Sequence, residues 1–99
     1  MAWNEKLTAL NYVLASLYPL RDESIRIVNE AGLRPAFIRL ENKAVDNWHN
    51  ILDEADKANR ILNVIQVARG DYPENVVLIQ AENAERENRP SLSNFLHPH

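Results

Sequence analysis

Glycine is almost missing from this chain: Gly32 and Gly70 are the only two in 99 residues. Sheets joined by tight hairpins draw on glycine for positive-φ turn positions, whereas helix interiors exclude it, so the scarcity points to helices punctuated at two places. The apolar residues carry the same message. Trp3, Leu7, Leu10, Leu14 and Leu17 recur at alternating intervals of four and three, with Val13 beside them, which marks one stripe of a helix. Asn4 can cap its start and Pro19 closes it.

A second helix is expected from Asp22 as N-cap, with Ile25, Val28 and Ala31 facing inward and Gly32 as a left-handed C-terminal cap. Pro35 opens a short third helix within residues 33–40. Asn42 then caps the clearest amphipathic segment, where Val45, Trp48, Leu52 and Ala55, flanked by Ala44, Ile51 and Ala58, oppose Asp46, Asn50, Asp53 and Lys57. Asn59 is the expected cap of a fifth helix carrying Ile61, Leu62, Ile65 and Ala68 and stopping at Gly70. Asp71-Tyr72-Pro73 signals the start of a sixth with Val76, Val77, Leu78, Ile79 and Ala81. The periodicity thus predicts an all-α domain of six short helices with a core on Leu10, Leu14, Val28, Val45, Trp48, Leu52 and Ile65. After about Glu82 the chain turns polar. The domain is therefore expected over residues 1–84, with 85–99 a frayed helix end and flexible tail in which only Leu92, Phe95 and Leu96 could dock.

Composition removes whole classes of function. With no cysteine, a disulfide framework, a thiolate zinc site and a cysteine nucleophile are excluded together, which fits a reducing, cytoplasmic setting. Neither a signal-peptide pattern nor an apolar run long enough for a bilayer occurs, so export and membrane insertion are not expected. The charge sum is 11 − 14 = −3, with the acidic excess between residues 43 and 84. Without a basic run the chain lacks the electrostatic footprint for phosphate backbones, and nucleic acid is not an expected partner.

Chemistry-bearing residues are sparse. His49 lies a turn from Asp46 and Asp53, which allows a small helical ligand-binding or catalytic site on that helix. A histidine at the edge of an amphipathic face is more often a boundary residue, and no Ser or Thr nucleophile lies within a turn of it. His97 and His99 supply too few ligands for a structural metal site. Asp53, Glu54 and Asp56 are splayed around a helix rather than paired, and no glycine-rich phosphate loop exists. Hence no catalytic residue, metal or cofactor is expected. Of the large aromatics, Trp48 reads as core, and Tyr72 is divided between core filler and interface anchor. The surface is patterned: Arg21, Arg26, Arg34 and Arg39 precede a segment carrying Asp46, Asp53, Glu54 and Asp56. Either these are two interaction patches or they are ordinary solubilising charge.

The run Leu33-x-Pro35-Ala36-x-Ile38-x-Leu40, then Ala44-x-Asp46-x-Trp48-His49-x-Ile51-Leu52-x-Glu54-Ala55, Leu62-x-x-Ile65 and Tyr72-Pro73-x-Asn75 resembles the first class of prokaryotic effector-associated domains. The resemblance spans roughly residues 7–82. It implies a six-helix, death-fold-like antiparallel bundle from bacterial conflict and immune systems. Such a bundle brings an effector to a matching copy on a signalling NTPase, protease or other partner by like-with-like association, and it assigns no catalytic residues. The expectation is a non-enzymatic adaptor, itself able to form homo-oligomers. An antitoxin-like regulator that binds an unrelated protein is the alternative of a different class.

Overall fold

The computed structural model describes residues 5–88, which form α1 (Glu5–Leu17), α2 (Arg21–Glu30), a 3-10 turn (Pro35–Phe37), α3 (Ala44–Lys57), α4 (Ile61–Asp71) and α5 (Val76–Asn88). Among the described residues the chain is all-helical, as its periodicity predicts, with five α-helices rather than six. The segment expected as a small third helix closes only one 3-10 turn, with Ile38 N–H donating to the Pro35 carbonyl at 3.0 Å. Arg34 and Ile38 on either side are extended, so nothing propagates the turn. Trp3, Asn4 and the expected tail from residue 89 onward lie outside the described residues, whereas α5 itself runs to Asn88.

Helix boundaries differ from the sequence reading in instructive ways. Leu20, not Asp22, is the N-cap of α2, and its carbonyl receives the buried Ser24 hydroxyl at 3.3 Å. Asp22 and Glu23 then fall in the first turn, where carboxylates favour the helix dipole. Lys43 rather than Asn42 precedes α3. Asn59 ends α3 instead of starting α4: its φ is 59°, its N–H reaches the Asp56 carbonyl at 3.0 Å, and Arg60 N–H reaches the Ala55 carbonyl at 2.7 Å. The same closing motif ends α2, where Gly32 has φ 83° and Leu33 N–H donates to the Val28 carbonyl at 2.9 Å. A β-carbon on Gly32 would also approach the Arg60 guanidinium to 3.1 Å. Helix α4 continues through Gly70 to Asp71, and α5 is capped by Asn75, whose side-chain oxygen accepts the Leu78 N–H at 3.1 Å.

Helix α1 packs against α3 and α5, α2 against α3 and α4, and α4 pairs with α5. Leu10, Leu14, Val28, Trp48, Leu52 and Ile65 are buried in the space between them, while Val45 is only half-buried at its edge. On α2 the inward stripe is Ser24, Ile27, Val28 and Ala31, leaving Ile25 half-buried. Trp48 is fully enclosed. Its ring lies 5.8 Å from that of Tyr18, and its indole N–H donates to the Tyr18 carbonyl at 3.1 Å. Buried Glu82 on α5 is gripped by Arg69 of α4 and by Arg86 one turn further along α5 at 3.1 Å.

Two outcomes follow. Trp48→Ala should cost about 3–5 kcal/mol in urea denaturation, and Trp48→Phe distinctly less, because the ring volume is mostly kept and only the indole bond is lost. The hydrogen bond from Arg69, aided by Arg86, holds the Glu82 carboxyl below the usual glutamate range. A carboxyl depressed in the folded state stabilises above its unfolded pKa, and that stability disappears as pH falls through the folded value. Glu82→Gln should thus be less stable at neutral pH by about 2–3 kcal/mol, and the gap should close on acidification below about pH 4.

Candidate functional site

The exposed face of α3 is a polar stripe. Asp46, His49, Asp53 and Lys57 recur along it and are exposed, while Asn50, Glu54 and Asp56 are half-buried at its margins. Asp53 pairs with Lys57 at 3.2 Å one turn away, and Asn50 donates to the Arg39 carbonyl at 2.7 Å, tying the preceding loop to the helix. A buried Asn47 helps, accepting the Glu41 N–H through its side-chain oxygen. The acidic residues singled out from the sequence therefore share one helix, as a charged rim rather than a pocket.

The four arginines part company. Arg26 is an internal strut: it bonds Asp71 at the end of α4 and Glu30 on its own helix, both at 2.6 Å, and lies 6.0 Å from the centre of the Tyr18 ring. The Tyr18 hydroxyl donates to the same Asp71 carboxylate at 2.7 Å. Burial, reinforced by this donation to a carboxylate, pushes the Tyr18 hydroxyl well above the usual tyrosine range. The Tyr18 and Arg26 hydrogen bonds hold Asp71 below the usual aspartate range. Arg26 is thus committed to partners within the fold. Arg21 is exposed at the start of α2 with no partner among the described residues. Arg34 stacks 5.7 Å from the centre of the Phe37 ring. Arg39, whose side chain is 84% exposed, pairs with Glu41 at 2.8 Å, a type of surface pair that adds little and leaves the cation available.

Exposed apolar groups complete the surface. Phe37 is 63% exposed on the 3-10 turn, and Leu20, Tyr72 and Val76 are exposed at helix junctions. Tyr72 nonetheless meets Tyr18 edge-on at 5.6 Å, which brings the end of α1 and the α4–α5 corner together. At that corner an open cleft of about 390 Å³ is lined by Asp71, Tyr72, Pro73, Glu74 and Asn75. An apolar cleft of about 160 Å³ between α1 and α5 is lined by Ala9, Val77, Gln80, Ala81 and Ala84. His49 lines neither, and among the described residues no group of three or more His, Cys, Asp or Glu could hold a metal ion. No helix among them is long and apolar enough to cross a membrane.

The family model described as effector-associated domain 1 matches residues 1–86, most of the chain and all but the end of α5 among the described residues. The chain belongs to the effector-associated domain 1 family. No curated protein and no solved structure matches it. Of the features that set the surface of this effector-associated domain, Phe37 and Tyr18 escape a reading of the sequence. Phe37 falls in a segment whose apolar residues look like a helix stripe, and only the extended backbone at Ile38 turns it outward while Leu33 and Ile38 go in. Tyr18, next to Pro19, looks like a helix end and not the centre of a network.

Reversing Arg26 should accordingly lower the melting temperature of the monomer, because Arg26→Glu faces Asp71 and Glu30 with a third carboxylate. Asp53→Lys, on a solvated face, should change stability by no more than about 0.5 kcal/mol. Circular dichroism melts of the two variants separate a strut from a surface charge.

Proposed function

We propose that this effector-associated domain is a non-enzymatic adaptor that recruits or clusters effectors in a bacterial conflict system by associating with a matching domain. Membership of the family over residues 1–86 is the observation that carries this reading. In this reading the domain is a death-fold-like bundle, acts in the cytoplasm, and needs no cofactor. The distribution of charge supports it: Arg21, Arg34 and Arg39 are presented outward from α2 and the loop after it, while Asp46, Asp53 and Glu54 lie along α3. Opposite charge on different elements of one molecule can pair between molecules, steering encounter and fixing register.

Such association is salt-sensitive. Sedimentation velocity at rising protein concentration should show growing assemblies at about 0.1 M salt that dissociate at about 1 M, where exposed charges are screened within about 3 Å. The same loss should be seen for binding to another effector-associated domain. A protein that is monomeric at every concentration and binds no other effector-associated domain would defeat the adaptor reading. Tight binding to an unrelated protein alone would favour the antitoxin-like regulator instead.

A further inference from the structure

We propose that Phe37, carried with Arg34 and Arg39 on the loop between α2 and α3, docks into the α4–α5 corner cleft of a second copy of this chain. This contact rests on the like-with-like reading and specifies it. Phe37 is a large apolar side chain left 63% exposed, yet the loop presenting it is not loose. Leu33 and Ile38 are buried on either side of the turn, Asn50 holds the Arg39 carbonyl at 2.7 Å, and Asn47 holds the Glu41 N–H. A side chain held in its exposed position loses little freedom on docking. The Arg34 guanidinium stacks beside the ring, so aromatic surface and cation arrive together, the residue types that dominate interface hot spots.

The corner cleft has the complementary chemistry. The exposed part of Tyr72 and the ring of Pro73 offer apolar contact, and Val76, 63% exposed, follows one residue beyond the cleft. Glu74 is exposed with no ion pair among the described residues, unlike Asp71, which is committed to Tyr18 and Arg26. Behind the cleft, Tyr18 meets Tyr72 edge-on and Arg26 of α2 bonds Asp71, so the corner is held in place from within the fold. On the α3 stripe, by contrast, Asp53 already answers Lys57. Because loop and cleft belong to different elements, each molecule carries both halves of the contact, which can close reciprocally into a two-fold dimer or repeat head to tail into a ring or an open filament.

The chain contains no cysteine, so Ala36→Cys beside Phe37 and Val76→Cys beside the cleft can be made separately, with the charged residues intact, and mixed under mild oxidation. The mixed disulfide-linked pair should form in preference to either homodimer and to the pair of Ala36→Cys with Asp53→Cys. In sedimentation, Phe37→Ala, Arg39→Glu and Glu74→Lys should each weaken assembly by about tenfold or more, and combining the last two should restore much of it. Circular dichroism should show all of them folded. If the parent assembles but Asp53→Lys disrupts it while Phe37→Ala and Glu74→Lys do not, the cleft contact is wrong and the adaptor reading survives. A parent that stays monomeric at low salt overturns the contact. The adaptor reading then falls only if the domain also fails to bind another effector-associated domain.

Discussion

The fold is organised around the contact of Trp48 with Tyr18, whose carbonyl accepts the buried indole N–H. A fully enclosed N–H must find an acceptor, and the last turn of a helix leaves carbonyls without an intrahelical partner. The end of α1 supplies such a carbonyl where the centre of α3 needs it. Tyr18 then extends the connection in two further directions. Its ring lies between those of Trp48 and Tyr72, tilted to the first and edge-on to the second, and its hydroxyl donates to Asp71, which also receives Arg26. Five elements thereby converge on one residue: α1, α2, α3, α4 and the corner leading to α5.

That convergence sorts the charges of the molecule. Arg26 with Asp71 and Arg69 with Glu82 join helices, and the burial of Glu82 makes Arg69, aided by Arg86 on the same helix as Glu82, necessary to it. Arg21, Arg34, Arg39, Glu74 and the α3 carboxylates remain on the outside. A sequence count cannot separate the two groups, because an arginine that braces α2 against α4 and one that awaits a partner have the same composition. The separation matters for the adaptor function proposed above, because a small domain with an economical core has few side chains that can serve both stability and binding.

The loop between α2 and α3 shows how this is managed. Its backbone is irregular, but side chains of α3 hold it at two points and two of its own apolar residues anchor it in the core. The exposed Phe37 is therefore displayed by structure rather than left over from it. At the opposite junction the α4–α5 corner is built by the Asn75 cap and by Arg69, which donates to the Pro73 carbonyl at 3.0 Å. Both features arise at connections, where the helix ladder no longer dictates where side chains point.

The sequence by itself determined the helical class, because apolar residues at intervals of three and four have only one regular backbone on which they share a face. It determined Trp48, Leu52 and Ala55 as an inward stripe, and Gly32 as the left-handed end of α2, since these depend on neighbours within a few residues. The family, too, was legible in local runs such as Trp48-His49-x-Ile51-Leu52-x-Glu54-Ala55. Only the tertiary structure decided that Leu33 to Leu40 makes a single turn, that Asn59 ends one helix instead of opening the next, and that Arg26 braces Asp71 45 residues away. Those outcomes depend on which distant group lies across the interface, and no local propensity carries that information.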